Sequence, residues 1–342
     1  MNIRRCFNED GPRIEGSNTL DRYKVQAPCI VGIPSGGYRL FYTAVGPAKP
    51  FPECQGYILS AISYDGLTFQ KETGIRLAPK PQSSHMSLRV LAPTIVKYGT
   101  SQWRMYFEAR GPANVPAVIC SATSTDMLNW DIEDGIRLER NGGLGGPRYT
   151  SLSDGIGRLY CCNLELRQSE GNLKRVINAV TYDGINFEFE QEHIVRSDQY
   201  FMETAGITAA EVISPDAHQS DWAMIYSAWQ DVPPGTIVPP HPSHDTHSVE
   251  SGQSDSFATE SIKVDMAGYR SRLFMALSID GENWGTGKCI IDGGGHNSNR
   301  LDAVHAEDMS VMKISKDTYR IYYACCDKYG NWRVASALLK TD

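Results

Sequence analysis

The chain has 342 residues, 41% of them hydrophobic and 21% charged, with a formal net charge of -7. That composition excludes a disordered chain and allows a large core, and an acidic balance without a basic cluster excludes nucleic acid as a partner. No run approaches the roughly 18 to 20 apolar residues of a membrane span, and Met1-Asn2-Ile3-Arg4-Arg5 has no apolar export core behind it, so a soluble, cytoplasmic protein without a membrane partner is expected.

Thirty-one Gly, 18 Pro and 10% aromatics favour many short strands joined by tight turns. Read in chain order, the strands recur as a quartet. Residues 22–80 carry an inner strand at 27–31, an aromatic strand at 38–42, an apolar strand at 57–62 and the turn Ser63-Tyr64-Asp65-Gly66-Leu67-Thr68-Phe69, then a short outer strand at 75–77. Residues 87–140 repeat this with strands at 92–96 and 103–107, the turn Ser124-Thr125-Asp126-Met127-Leu128-Asn129-Trp130, and an outer strand at 136–138. Residues 145–196 do so with strands at 147–152 and 158–160 and the turn Thr181-Tyr182-Asp183-Gly184-Ile185-Asn186-Phe187. Residues 203–292 contribute strands at 207–213, 222–226 and 273–277 and the turn Ser278-Ile279-Asp280-Gly281-Glu282-Asn283-Trp284. They also hold an insertion at 230–267, whose His241, His244 and His247 read as solvated loop residues and not as a metal site. Residues 302–342 have strands at 308–312, 319–323 and 334–339 but no outermost strand, so the segment at 3–7 is expected to close the ring.

An Asp-Gly pair suits the positive backbone angles of a tight turn, and the trailing aromatic can pack between units. Four strands per unit, five units and no helical periodicity predict an all-β fold, a five-bladed β-propeller of four-stranded antiparallel blades in one domain. Nine cysteines, two adjacent pairs of which (Cys161-Cys162 and Cys325-Cys326) lie in apolar strands, read as reduced, buried thiols.

Innermost strands line a propeller's axis, so polar residues on them are the first site candidates. These are Asp21, Lys24 and Gln26 in the first unit, Arg89 in the second, Arg148 and Tyr149 in the third, Glu203 in the fourth, and His296, Asp302, His305, Glu307 and Asp308 in the fifth. Each could equally close a hydrogen bond around the shaft.

The repeat, together with Gly293-Gly294-Gly295-His296-Asn297-Ser298, resembles the five-bladed propeller glycosidases, especially glycoside hydrolase family 43 and its relatives in families 32, 62, 68 and 117. The resemblance implies an Asp base just before the Pro of the first inner strand, a second Asp in the next blade, a Glu acid later in the chain and a His near the axis. Here Ala27 and Thr94 stand where the two Asp would be, while Glu203 matches the acid and His296 the last-blade His. Glycoside hydrolysis in its usual form needs two carboxyl groups; the resemblance places only Glu203, and a substitute base is expected from Asp21, Glu307 or Asp308.

Two enzyme readings follow. One is a glycosidase-like enzyme acting on a small carbohydrate or glycoside with Glu203 as acid. The other is a non-hydrolytic propeller enzyme of small-molecule biosynthesis, in which Glu203, His305 and Glu307 serve as acid and base and Arg89 or Arg148 holds an anion. A ligand-binding propeller without catalysis is the third alternative. Arg89, Arg148, Tyr149, Gln26 and His296 are the expected substrate contacts. No cofactor and no metal are expected, the partner is a small-molecule substrate, and the oligomeric state is left open.

Overall fold

The computed structural model describes residues 3–46, 55–112, 114–152, 155–164, 176–193, 206–216, 220–230, 270–295 and 297–341. Among them there is no α-helix, and therefore none long and apolar enough to cross a membrane.

Five antiparallel blades account for the strands. The first is β3 (Lys24–Gly32), β4 (Tyr38–Gly46), β5 (Gln55–Ser63) and the short β6 (Gln70–Lys71). The second is β7 (Arg89–Tyr98), β8 (Gln102–Arg110), β9 (Val118–Ser124) and β10 (Asp131–Ile132). A single parallel bridge, Gly56 to Arg89, joins these two blades into one sheet. The third is β11 (Leu144–Ser151), β12 (Gly157–Asn163), β13 (Val176–Thr181) and β14 (Glu188–His193). The fourth is β15 (Gly206–Ile213), β16 (Trp222–Gln230), β17 (Arg270–Ser278) and β18 (Lys288–Ile291). The fifth is β19 (His305–Ser315), β20 (Thr318–Cys326) and β21 (Trp332–Thr341), completed at its outer edge by β1 (Ile3–Asn8), with β2 (Ile14–Glu15) also on β21. Each inner strand touches the next, and β19 returns to β3, so the ring is closed.

The outer strand differs in place from the sequence expectation. In the first two blades it pairs at Gln70–Lys71 and Asp131–Ile132, and the stretches expected to form it, 75–77 and 136–138, are reduced to isolated bridges at Leu77 and Leu138. The Glu that follows each short strand, Glu72 or Glu133, turns its side chain inward to an arginine.

That arginine belongs to a device repeated around the rim. Arg39 donates Nε and Nη2 to Glu72, each at 2.8 Å, while Ser60 Oγ donates to the same carboxylate at 2.7 Å. Arg104, Glu133 and Ser121 repeat it in the second blade, and Arg158, Glu190 and Asn178 in the third. In the fifth, Arg320 and Ser336 find their carboxylate on Glu9, 311 residues upstream of the arginine. The N-terminal segment thus supplies the fifth blade with both an outer strand and the missing member of its staple. Bidentate Arg–carboxylate pairs are among the stronger charged contacts.

The same arginines stitch blade to blade. The remaining guanidinium nitrogen of Arg39, Arg104 and Arg320 donates to a backbone carbonyl in the next blade's turn, Asp126, Asp183 and Asp65 respectively. Those turns are held from within: Asp65 Oδ1 accepts from Leu67 N and Thr68 N, and Ser63 Oγ from Gly66 N. The pattern recurs at Asp126, Asp183 and Asp280. The trailing aromatics meet the neighbouring blade edge to face, Phe69 on Tyr322 at 6.0 Å, Trp130 on Phe41 at 5.9 Å and Phe187 on Tyr106 at 5.5 Å. Each such pair contributes about 0.5–1.5 kcal/mol beyond area burial. The eight described cysteines are all free thiols, most of them buried in these sheets.

Candidate functional site

The inner strands carry a bulge at one repeat position. The register slips between Gln26 and Cys29, Leu91 and Thr94, Gly145 and Arg148, Ile207 and Ala209, and Glu307 and Met309. Ala27, Ala92, Gly146 and Asp308 there have φ between 47° and 58°, a left-handed conformation that costs a residue with a Cβ about 1–2 kcal/mol. Non-Gly residues in such strain cluster at functional sites. Three of the five bulge residues, Ala27, Ala92 and Gly146, offer no side-chain chemistry. Asp308 is the bulge residue with a titratable group.

Below the bulges the shaft is closed by Arg148. Its Nε donates to Met309 O at 3.0 Å, Nη1 to Pro93 O and Pro147 O at 3.1 and 3.2 Å, and Nη2 to Pro28 O at 3.3 Å. The fourth blade adds Glu211, whose Oε2 lies 3.2 Å from Nε, so one buried guanidinium meets oxygens of all five blades. A second carboxylate oxygen, Glu211 Oε1, accepts from Val311 N at 3.1 Å.

The charges of four side chains from three other blades act on Asp308: Lys24 on β3, Glu108 and Arg110 on β8, and Arg148 on β11. Burial raises the Asp308 carboxyl above the ordinary aspartate value; Arg148, Lys24 and Arg110 oppose that rise, and Glu108 adds to it. Its own N–H points 3.4 Å away to Ser227 Oγ, which also shares a hydrogen bond with Thr208.

The other expected residues fall as follows. Glu307 accepts from the Trp229 indole at 2.9 Å. His305 is fully buried, with Nδ1 3.0 Å from Ser271 Oγ and its ring stacked 5.2 Å from Trp332, over which Lys24 Nζ sits at 3.9 Å. Tyr149 alternates away from Arg148 and stacks on Tyr106 at 5.3 Å; a Cβ on Gly157 would overlap its hydroxyl, so only glycine fits there. Asp21 is buried in the first blade, accepting from Ser17 N, Asn18 N, Tyr42 Oη and Lys71 Nζ. Burial acts to raise its carboxyl, yet the Lys71, Asn18 and Ser17 donors outweigh it and hold it below the usual value. Asp302 ties Asn8, Arg300 and Tyr323 together. Gln26 is half-buried beside the first bulge, and Arg89 is buried at the bridge to Gly56. Glu203 and His296, like His241, His244 and His247, lie outside the described residues. Among the described residues no group of three His, Cys, Asp or Glu side chains could hold a metal ion.

The sequence reading missed Glu108. Its Oε2 accepts from Gly146 N at 3.0 Å, and its Oε1 pairs with Arg110 Nε. The signal was its repeat position: four residues after Arg104, as Thr43 is four residues after Arg39.

No family model matches the chain, and no curated protein does. Solved structures match it along almost its whole length. A structure from work on glycoside hydrolase family 130, described there as mannoside phosphorylases that include hydrolases of β-1,2-mannosidic linkages, aligns with a TM-score of 0.64 at 13% identity, over 98% of this chain and 94% of that one. A β-1,2-mannobiose phosphorylase from Listeria innocua gives 0.64 at 11% over 93% and 89%, and a thermostable family-43 glycoside hydrolase 0.57 at 14% over 94% and 91%. The chain is a five-bladed β-propeller of the kind found in these glycosidase-like proteins.

Proposed function

We propose that the protein is a glycosidase-like enzyme acting on a small carbohydrate or glycoside, with acid–base chemistry at the end of the shaft where the inner strands begin. The observation that carries this is Asp308, a carboxyl set on a strained bulge among charged groups of three other blades. A carboxyl that burial biases toward its acid form suits protonation of a leaving glycosidic oxygen. In this reading the acid role that the sequence resemblance gives to Glu203 passes to Asp308, and Glu203, which lies outside the described residues, is proposed as the base. Gln26, Arg89 and His296 are proposed substrate contacts, while Glu307 steadies Trp229, whose indole offers a sugar an apolar face. The relatives in fold, hydrolases and phosphorylases of glycosides, support the substrate class.

One observation favours a phosphorolytic version of the same reaction: the positive charges of Lys24 and Arg110 act on Asp308 and would attract an attacking phosphate. The test is a panel of aryl glycosides and manno-oligosaccharides assayed with and without inorganic phosphate. Turnover that Asp308→Asn lowers about 100-fold or more is expected. No turnover of any glycoside in either buffer would favour the non-hydrolytic reading instead.

A further inference from the structure

At the end of the shaft where the inner strands begin, each seam between blades brings one residue at the start of a third strand against the inner strand of the following blade. The third-strand residue is Gly56, Ala117, Ser271 or Trp332, and the residue it meets lies three before the bulge: Arg89, Gly143, His305 or Lys24. Gly56 bridges to Arg89, a Cβ on Gly143 would lie 3.0 Å from Ala117 N, and Ser271 Oγ lies 3.0 Å from His305 Nδ1. A glycine, an alanine or a serine therefore meets the need of the seam in three places. Where the fifth blade meets the first, Trp332 stands there instead, with Lys24 Nζ 3.9 Å from the centre of its ring.

The indole is set for its face and not for its N–H. His305, itself fully buried, stacks on the ring at 5.2 Å with the planes 11° apart. Trp332 is 5% exposed, and its Nε1 is buried without a hydrogen-bond partner among the described residues. A buried indole N–H usually finds an acceptor, and leaving one unpaired costs stability, so bracing the seam does not account for the ring. Its electron-rich face carries an ammonium without neutralising it. Arg89 occupies the same repeat position in the second blade, whereas by sequence the third and fourth blades have Gly143 and Ala205. Two cationic residues thus begin adjacent inner strands, on one side of the ring.

We infer that Lys24, carried on the Trp332 indole, seats a carboxylate of the substrate, so that the substrate is an acidic sugar, a uronide. The inference rests on the glycosidase-like reading given above. An attacking phosphate would have to reach the anomeric carbon beside Asp308, at the level of the bulges. Lys24 begins β3 three residues before the bulge residue Ala27, about 10 Å along the strand at roughly 3.3 Å per residue. Held on the indole at that remove, its charge meets a group on the far side of the sugar and not the bond that breaks.

The test sets 4-nitrophenyl glucuronide and galacturonide against the matching glucoside and galactoside, in the full native chain, Lys24→Met and Lys24→Arg. The native chain should prefer the uronides, and Lys24→Met should lower the uronide-to-neutral ratio of kcat/KM by about 10–100-fold, chiefly through the uronide KM. Lys24→Arg keeps a cation that stacks on an aromatic face and should retain most of the preference. Trp332→Leu, which leaves Lys24 unsupported, should lower the ratio by a smaller factor; if it does not fold, the two Lys24 variants carry the comparison. A ratio that Lys24→Met leaves unmoved, with both substrate types slowed alike, would make the lysine a seam contact and overturn the inference. So would calorimetric binding of inorganic phosphate, and not of free glucuronate or galacturonate, that Lys24→Met abolishes. If no glycoside is turned over, binding of a free uronate that depends on Lys24 would uphold the seat and overturn the glycosidase-like reading, and no such binding would overturn both.

Discussion

The rim and the shaft of this propeller treat the same five-fold repeat in opposite ways. At the rim the same chemistry returns: Arg39 with Glu72, Arg104 with Glu133, Arg158 with Glu190 and Arg320 with Glu9, each with a further donor to the carboxylate. At the shaft the equivalent bulge positions hold Ala27, Ala92, Gly146, Thr208 and Asp308. A position that four blades fill alike answers a need those blades share, which is to hold to the neighbour; the fourth blade carries Ala223 where the others carry the arginine. The bulge position varies, with Ala in two blades and Gly, Thr and Asp in the others, so it is free of that need and chemistry can be placed there.

Breaking the contrast at its centre should have the largest effect on stability. Arg148→Met leaves the carbonyls of Pro28, Pro93, Pro147 and Met309 without their donor and Glu211 without its counter-charge. A loss of about 3–5 kcal/mol is expected in urea denaturation, as for breaking a buried charged network. A rim staple should cost less. Arg320→Met, which strands Glu9 and releases the ring closure, is expected to cost about 2–3 kcal/mol, and Arg104→Met a similar amount. If Arg104→Met is harmless while Arg320→Met is severe, the staples are not equivalent, and closure by the N-terminal segment outweighs the other three. The inter-blade aromatics come last: Phe187→Leu, which removes the edge contact to Tyr106, should cost about 1–2 kcal/mol.

The same contrast governs what the sequence could reveal. Repetition made the blades and turns legible, because Asp65, Asp126, Asp183 and Asp280 cap their turns in one way and leave one signature. The rim carboxylates were not visible, since Glu72 and Glu133 lie between the turn and the stretch expected to form the outer strand, and Glu9 lies at the opposite end of the chain from Arg320. The shaft was harder still. Asp308 could be named as a candidate, yet its conformation on the bulge depends on pairing across β20. Arg148 read as a substrate contact because its partners are backbone carbonyls, which no sequence pattern displays. Glu108 escaped because its equivalents, Thr43 and Ser227, look like ordinary strand residues.

One measurement reaches the central claim that the shaft carries chemistry at the expense of stability: the melting temperature of Asp308→Asn against the native chain from pH 4 to pH 8, with turnover followed on the same samples. Asn tolerates the left-handed backbone at position 308 as well as Asp does. Burial raises the carboxyl in the folded state, so the native chain has its full stability below the unfolded-state value near about 3.9 and loses some as pH climbs through the folded-state value. The Asp308→Asn variant has no such proton to lose. The expected result is a variant that has lost its turnover and whose melting temperature gains on the native chain as the pH rises. A variant that melts lower than the native chain at every pH and retains its turnover would show Asp308 to be one more brace of the ring, and would contradict the claim.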